Sequence, residues 1–194
     1  VTTDGHELAE VFLVDLPDDP RDLMQPGSRP LAGTPTTRPA PPRTVSQRRL
    51  TFTSERKTPG LCGPRHWLRS HPDGSQIAFL MADDSGTVQI FTVSPLGGEP
   101  RQITRDAWSV AGCFSWSPDG RHMAYIADGS VMTVDAATGA STRLTPALRD
   151  DTAPRPEACV FSPDGTQIAY VRTVPDAHGT GHHNQIFVVN HGSH

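Results

Sequence analysis

Apolar and polar residues alternate along most of the chain in short stretches with a period of two residues. Residues 76–80, 122–126 and 167–171 show this alternation most clearly. A period of two is typical of β-strands, because successive side chains of a strand point to opposite faces. A short apolar stretch precedes each of these segments, and another follows each of them. The pattern therefore predicts many short strands in succession.

One turn sequence separates the first two strands of each group. It occurs at residues 71–74, 117–120 and 162–165, and in all three places it ends in Pro-Asp-Gly. Its glycines are 46 and 45 residues apart, which indicates a repeat architecture. Pro at the second position and Gly at the fourth are typical of a type I β-turn. We therefore interpret the three aspartates as turn-forming residues.

A fourth, polar strand closes each group and ends in Leu-Thr or Ile-Thr, at residues 48–51, 101–104 and 143–145. Four strands in about 45 residues correspond to one blade of a β-propeller. The sequence predicts an all-β protein with complete four-stranded antiparallel blades at residues 52–104 and 105–145 and a partial blade on each side. A β-sandwich would not explain the repeated turn. Because propellers close with about four to eight blades, we expect ring closure to need the rest of a longer chain or another copy.

The domain organisation follows from these groups. Residues 1–16 are predicted to be the last part of a preceding blade, residues 46–190 the propeller blades, and residues 191–194 a tail. Residues 17–45 are rich in Pro, Thr, Arg and Asp, and such a segment buries little apolar surface. We predict an exposed or disordered insertion there, with a Pro-rich docking segment as the alternative.

Charge and cysteine content narrow the possible functions. The net charge is −4 and the isoelectric point about 6.1, so no overall electrostatic footprint for nucleic acid is present. No apolar run approaches the ~20 residues needed for a transmembrane helix. Cys62, Cys113 and Cys159 match no zinc-binding spacing, and we interpret them as buried or loop thiols.

The repeated elements Phe/Trp-Ser-Pro-Asp-Gly, Ile-Ala-Tyr/Phe, Ile-Phe-x-Val and Arg-x-Leu/Ile-Thr resemble the blades of the TolB-like, WD-repeat-like propeller family over residues 47–190. Residues 58–69 and 155–161 are similar to a bacterial branch of uncharacterised proteins known as Tol-type biopolymer-transport proteins. The resemblance implies a non-catalytic module that binds a protein or peptide. It also implies a bacterial periplasmic location, with the cytoplasm as the alternative.

The loops before the first strand of each blade are the expected binding surface, because propellers use the loops at one end of the channel. We name these the channel-mouth loops. Arg65 and Arg155 hold comparable positions in two of them, where guanidinium groups could bind a carboxylate or phosphate. The structural alternative pairs Arg155 with Glu157. The predicted binding residues are Arg65, His66, Arg69, Trp108, Arg155 and Glu157, and Asp106 lies in the same loop as Trp108.

An enzyme remains the alternative function. Propellers of similar blade type occur in metal-dependent oligogalacturonate lyases and as gating domains of peptidases. The lyase hypothesis requires His66 to converge with other histidines. The late histidines, which we interpret as lying in exposed loops, are His178, His182, His183, His191 and His194. We predict no catalytic residue, no metal and no cofactor, because no nucleophile elbow or phosphate loop is present.

Overall fold

The computed structural model describes residues 7–63, 68–176 and 181–192, and these residues form four antiparallel sheets. The first sheet pairs β1 (Phe12–Asp15) with β2 (Ser46–Arg49). Between these two strands lies a 3-10 helix over Pro20–Met24. The helix begins after Asp19, whose carboxylate accepts a hydrogen bond from the Arg21 backbone at 2.9 Å, and it contains no buried residue.

The second and third sheets have four strands each, and the fourth sheet has three. The second sheet contains β3 (Arg69–Ser70), β4 (Ile77–Ala82), β5 (Val88–Val93) and β6 (Arg101–Gln102). The third sheet contains β7 (Val110–Trp116), β8 (His122–Ala127), β9 (Ser130–Asp135) and β10 (Ser141–Arg143). The fourth sheet contains β11 (Pro154–Phe161), β12 (Gln167–Pro175) and β13 (His182–Asn190). Each sheet follows chain order, so every connection is between neighbouring strands. The predicted all-β fold with two complete and two partial propeller blades is confirmed for the described residues.

The sheets stack face to face in chain order because alternate residues of each strand point to opposite neighbours. In the second sheet, Phe79 and Met81 belong to the same apolar cluster as Val11, which directly precedes β1 of the first sheet. The residues in between, Ala78 and Leu80, pack against the third sheet. The other face of the third sheet, which includes Ile126, packs against the fourth sheet. The core is therefore divided into three apolar layers between four sheets.

Two strands are shorter than the sequence predicts. The β-branched and aromatic residues within 7–16 predict a strand there, which is observed only over Phe12–Asp15. The closing strand predicted over residues 101–104 covers only Arg101–Gln102. In both places the pairing continues through a threonine side chain. The Thr51 hydroxyl accepts the hydrogen bond of the Val11 backbone N–H at 2.9 Å, in place of a backbone carbonyl.

Candidate functional site

The channel-mouth loops lie at one end of the sheets, and the Pro-Asp-Gly turns lie at the opposite end, which we name the turn end. Of the predicted binding residues, Arg69 lies in β3, Trp108 precedes β7, and Arg155 and Glu157 lie in β11. Arg65 and His66 lie outside the described residues. The antiparallel order of the strands places the β8–β9 turn at the channel mouth as well.

Trp108 is an exposed aromatic residue of the channel-mouth loops, with 43% of its surface accessible. The Arg143 guanidinium lies over its ring, 5.3 Å from the centroid. Arg143 is itself held by Asp128, to which it donates a hydrogen bond at 2.6 Å, and Arg149 lies 2.5 Å from the same carboxylate. Asp128 therefore fixes the group on which the tryptophan rests.

Asp128 occupies the β8–β9 turn with a φ of 51°. Aspartate tolerates this left-handed conformation better than most residues. Burial raises the pKa of its carboxyl group, but the hydrogen bonds from Arg143 and Arg149 more than offset this, so that the pKa is lowered. The carboxylate therefore stays charged and can hold both arginines at neutral pH.

Arg155 forms an ion pair with Glu157 on the same strand, with donor–acceptor distances of 3.2 and 3.0 Å. Both side chains remain partly exposed. This is the structural alternative described above, and it neutralises part of the positive charge available to an anion. Surface pairs of this kind contribute little to stability, so either partner can exchange the other for a ligand.

The first strands of the second, third and fourth sheets bring Arg69 and Glu157 close to Cys113. Burial raises the pKa of the Cys113 thiol, the positive charge of Arg69 lowers it, and the negative charge of Glu157 raises it. The Cys113 thiol also donates a hydrogen bond to the Pro156 carbonyl at 3.2 Å. Cys62, Cys113 and Cys159 are all free thiols. The pKa of each thiol is raised, mainly by burial, which makes them poor nucleophiles.

Asp106 performs a structural role beside Trp108. The fully buried Tyr125 donates a hydrogen bond to its carboxylate at 2.5 Å, and the Ser141 hydroxyl lies 2.9 Å from the same phenol. Burial and the bond to Asp106 raise the pKa of Tyr125. Asp106 therefore anchors the channel-mouth loop of the third sheet to Tyr125.

At the turn end, Asp73, Asp119 and Asp164 each accept a hydrogen bond from the backbone N–H two residues later, at 2.8, 3.0 and 3.0 Å. This confirms their interpretation as turn-forming residues. The hydroxyl of Ser162 and the backbone of Thr166 donate to Asp164 and lower its pKa to about 2. The three carboxylates are thus satisfied locally.

Sequence reasoning missed a cleft of about 420 Å³ at the turn end, between the third and fourth sheets. His122 and His191 meet there edge to face, with ring centroids 4.8 Å apart. The acidic and basic residues that line the cleft are Asp119, Arg121, Asp135 and Asp164. The equal spacing of the Pro-Asp-Gly turns could have indicated this cleft, because equal repeats bring the turns of successive sheets side by side.

The late histidines are placed differently from one another. His182 and His183 begin β13, whereas His191 follows this strand and packs against the Phe161 ring at 5.2 Å. His178 and His194 lie outside the described residues. Within the described part of the chain, no three His, Cys, Asp or Glu residues are grouped so that they could hold a metal ion.

Comparison with known proteins gives one curated relative and several similar structures. The chain is 45% identical over 168 residues to the uncharacterised protein YidR of Escherichia coli K12, which covers 86% of this chain. The chain spans only 40% of that relative's length. No family model matches the chain.

Among solved structures, the oligogalacturonate lyase of Vibrio parahaemolyticus aligns with a TM-score of 0.51 and 15% identity, over 86% of this chain and 37% of the lyase. TolB of Acinetobacter baumannii aligns with a TM-score of 0.47 and 23% identity, over 75% of this chain and 35% of TolB. At such identities a likeness shows the fold alone. The chain has a β-propeller fold, as the sequence predicts.

Proposed function

We propose that the chain is a non-catalytic binding module that presents its channel-mouth loops to a protein or peptide partner. The observation that supports this is Trp108, an exposed tryptophan held in place by Arg143. Tryptophan and arginine are the residues most enriched among those that dominate the binding energy of protein interfaces. A ring that is already immobilised loses little side-chain entropy on binding.

Other charged groups at the channel mouth extend this surface. Arg149 is largely exposed where it contacts Asp128, and the Arg155–Glu157 pair offers one charge of each sign. A peptide with an aromatic or aliphatic side chain for Trp108 and an acidic group for Arg149 fits these features. Within the described residues, the structure holds no helix with the length and apolar character needed to cross a membrane.

We also propose that the two outer sheets are covered by further sheets, from a longer chain or from another copy. In the fourth sheet, Val160, Ala169 and Val188 are in register on the face that points away from the third sheet. Val160 and Val188 are exposed on this face, as is Ile186. At the opposite end, Phe12 and Val14 of the first sheet are exposed too. Apolar sheet faces of this kind are typical of positions between blades.

Affinity capture tests the binding surface. The 194-residue chain and its Trp108→Ala variant are used to capture partners from a bacterial extract, with Leu96→Ala as the matched control. Leu96 is an exposed apolar residue in the β5–β6 connection at the turn end. We expect Trp108→Ala to lose the specific partners and Leu96→Ala to keep them. Retention of every partner by Trp108→Ala contradicts the proposal.

The arginines predicted from the sequence are tested separately with an Arg65→Ala, Arg155→Ala double variant in the same capture experiment. If they bind a carboxylate or phosphate, partners with acidic segments are lost from this variant and retained by Leu96→Ala. For the enzyme alternative, metal analysis of the purified protein is the discriminating measurement. A stoichiometric bound transition metal that depends on His66 would favour the lyase hypothesis over the binding module.

A further inference from the structure

At the turn end, a positively charged side chain bridges the second and third sheets. Both terminal nitrogens of Arg101 in β6 donate to the carbonyl of Ala136, which follows β9, at 3.1 Å each. Arg101 lies opposite Thr92 of β5 in the strand pairing. The residue in this position of the third sheet is Thr142, which lies opposite Thr133 of β9. The third sheet therefore has a short hydroxyl side chain where the second sheet has a guanidinium group.

The fourth sheet nevertheless contains the acceptor side of this bridge. His191 follows β13 as Ala136 follows β9. The backbone N–H of each donates to the carbonyl of the residue after the turn glycine, at 2.8 Å for His191 and 2.9 Å for Ala136. His191 and Thr142 line a cavity of about 160 Å³ between the third and fourth sheets. The carbonyl of His191 therefore corresponds to the one that Arg101 binds, and an open cavity lies beside it.

A buried hydroxyl group also faces this cavity. Thr133 lines it although only 3% of the residue is exposed, and within the described residues its hydroxyl makes no hydrogen bond. The hydroxyl of Thr92 is unpaired too, but Thr92 is completely buried. A buried hydroxyl without a partner lowers stability. A donor that enters the cavity would therefore gain an acceptor in Thr133 that the protein itself does not use.

The cavity is continuous with the larger cleft of about 420 Å³, because His122, Asp135 and His191 line both. We name the two spaces together the interface cleft. Asp119 and Asp164 line its larger part. In all three aspartates the turn hydrogen bonds go to Oδ1, and within the described residues Oδ2 makes none. These bonds lower the pKa of each carboxyl group, so the three carboxylates are charged at neutral pH.

The charges of the interface cleft favour an organic cation. Against the three carboxylates, the larger part is lined by one guanidinium group, that of the exposed Arg121, and an excess of negative charge attracts cations. Within the described residues, no three such side chains are close enough together to hold a metal ion. Carboxylates that are spread along the walls fit two positive charges separated on one molecule better than a single ion. Pro118 and the imidazole rings supply apolar surface for the methylene groups between those charges.

We propose that the interface cleft binds a small aliphatic molecule with a guanidinium group at one end and an ammonium group at the other. The guanidinium group enters the cavity beside Thr142 and donates to the His191 carbonyl and the Thr133 hydroxyl. The ammonium group lies in the larger part, where Asp119 and Asp164 are its acceptors. The space is in the size range of small-molecule sites. This site lies at the turn end, so its test is independent of the binding surface proposed at the channel mouth.

Titration calorimetry with agmatine (4-aminobutylguanidine) provides a direct test on the 194-residue chain. Butylguanidine, which has the guanidinium group but no ammonium group, is the matched ligand. We expect agmatine to bind saturably, with one molecule per chain. We expect butylguanidine to bind about three- to ten-fold more weakly, because one net hydrogen bond contributes about that factor.

Two pairs of variants locate the ligand in the cleft. Thr142→Arg supplies the guanidinium group from the chain itself, as Arg101 does in the second sheet, and should abolish agmatine binding, whereas Thr142→Ser keeps the space open and should leave binding unchanged. Asp135→Asn removes a charge while its amide oxygen still serves the turn, and should weaken binding about three- to ten-fold. Asp151→Asn makes the same change of charge at an exposed position between β10 and β11, and should have no effect. Circular dichroism of each variant confirms that the sheets are intact.

NMR shifts of the His122 and His191 imidazoles on addition of agmatine are the second measurement, and they require no variant. Absence of saturable binding at millimolar agmatine would overturn the proposal. Binding that survives Thr142→Arg would also overturn it, as would equal losses of affinity in Asp135→Asn and Asp151→Asn, because the ligand would then respond only to the overall charge of the chain. Equal affinity for butylguanidine and agmatine would refute the two-charge ligand.

Discussion

Substitution of Gly120 by alanine tests how the turns of neighbouring sheets contact each other. Gly120 ends the Pro-Asp-Gly turn of the third sheet with a φ of 71°, and a Cβ atom placed there would lie 2.0 Å from His71 Nε2 of the second sheet. Gly74 ends the equivalent turn of the second sheet with a φ of 77°, and its Cβ would meet no atom within 4 Å. The two positions share their backbone strain and differ in their surroundings.

The expected magnitudes follow from this difference. An alanine at either position adopts the left-handed conformation at a cost of about 1–2 kcal/mol. At Gly120 the new methyl group must also displace His71. This imidazole is fixed by the Gly120 carbonyl at 3.2 Å and by the Trp116 ring at 4.8 Å. Overpacking of this kind costs about 1–3 kcal/mol more, so Gly120→Ala should destabilise the protein by about 2–5 kcal/mol and Gly74→Ala by about 1–2 kcal/mol.

Urea unfolding of both variants, with and without His71→Ser, measures the two contributions separately. Serine is the residue at this position in the other two turns, so His71→Ser makes room without altering the turn chemistry. We expect the extra cost of Gly120→Ala to disappear in the His71→Ser background and the cost of Gly74→Ala to remain. If Gly120→Ala and Gly74→Ala differ by less than about 0.5 kcal/mol, the usual error of additivity, the proposed contact between turns is refuted.

Two further predictions concern buried and exposed hydrogen bonds. Tyr125→Phe should lower the free energy of unfolding by about 1.5–3 kcal/mol, because it removes a hydrogen bond to the charged Asp106. Tyr170→Phe, in the equivalent position of the fourth sheet, should have a smaller effect in the same unfolding assay. Ser162→Ala should raise the pKa of Asp164 from about 2 towards its ordinary value, as measured by carboxyl NMR shifts. Because the folded pKa lies below the unfolded value of about 3.9, this carboxylate stabilises the fold above about pH 4, and its contribution is lost as the pH falls towards 2. An unchanged Asp164 pKa in the variant contradicts the assignment.

The sequence predicts features that depend on neighbouring residues. The Pro-Asp-Gly turns and the second and third strands lie where the alternation places them, because turn geometry and strand periodicity are both local. The repeat spacing then predicts the stacking of sheets, since equal units bury equal faces. The long connection over residues 17–45 contains a 3-10 helix and isolated bridges, which its polar composition does not indicate.

Contacts between distant residues could not be predicted in the same way. The pairing of Trp108 with Arg143 joins a loop to the outermost strand of the same sheet, and the contact of His71 with Gly120 joins two sheets. Both depend on the relative positions of elements that the alternation leaves undetermined. The cleft beside His122 and His191 depends in addition on how far one sheet is rotated against the next.

In the first three sheets the hydroxyl of the closing threonine accepts the backbone N–H of a third-strand residue at 2.9 Å and also bonds the side chain that precedes this residue. Comparison of the repeats identified these threonines but not their partners. Glu10, Gln89 and Ser130 have little in common as residue types, yet each provides an oxygen atom for the threonine hydroxyl. Glu10, the carboxylate among the three, needs additional hydrogen-bond donors because a buried carboxylate destabilises the fold unless it is hydrogen-bonded. Arg49 and Thr53 provide them at 2.7 and 2.8 Å, and the pKa of Glu10 is lowered although burial raises it. These contacts are therefore determined by the position of the oxygen atom rather than by the identity of the residue, and this position becomes visible only when the strands are in register.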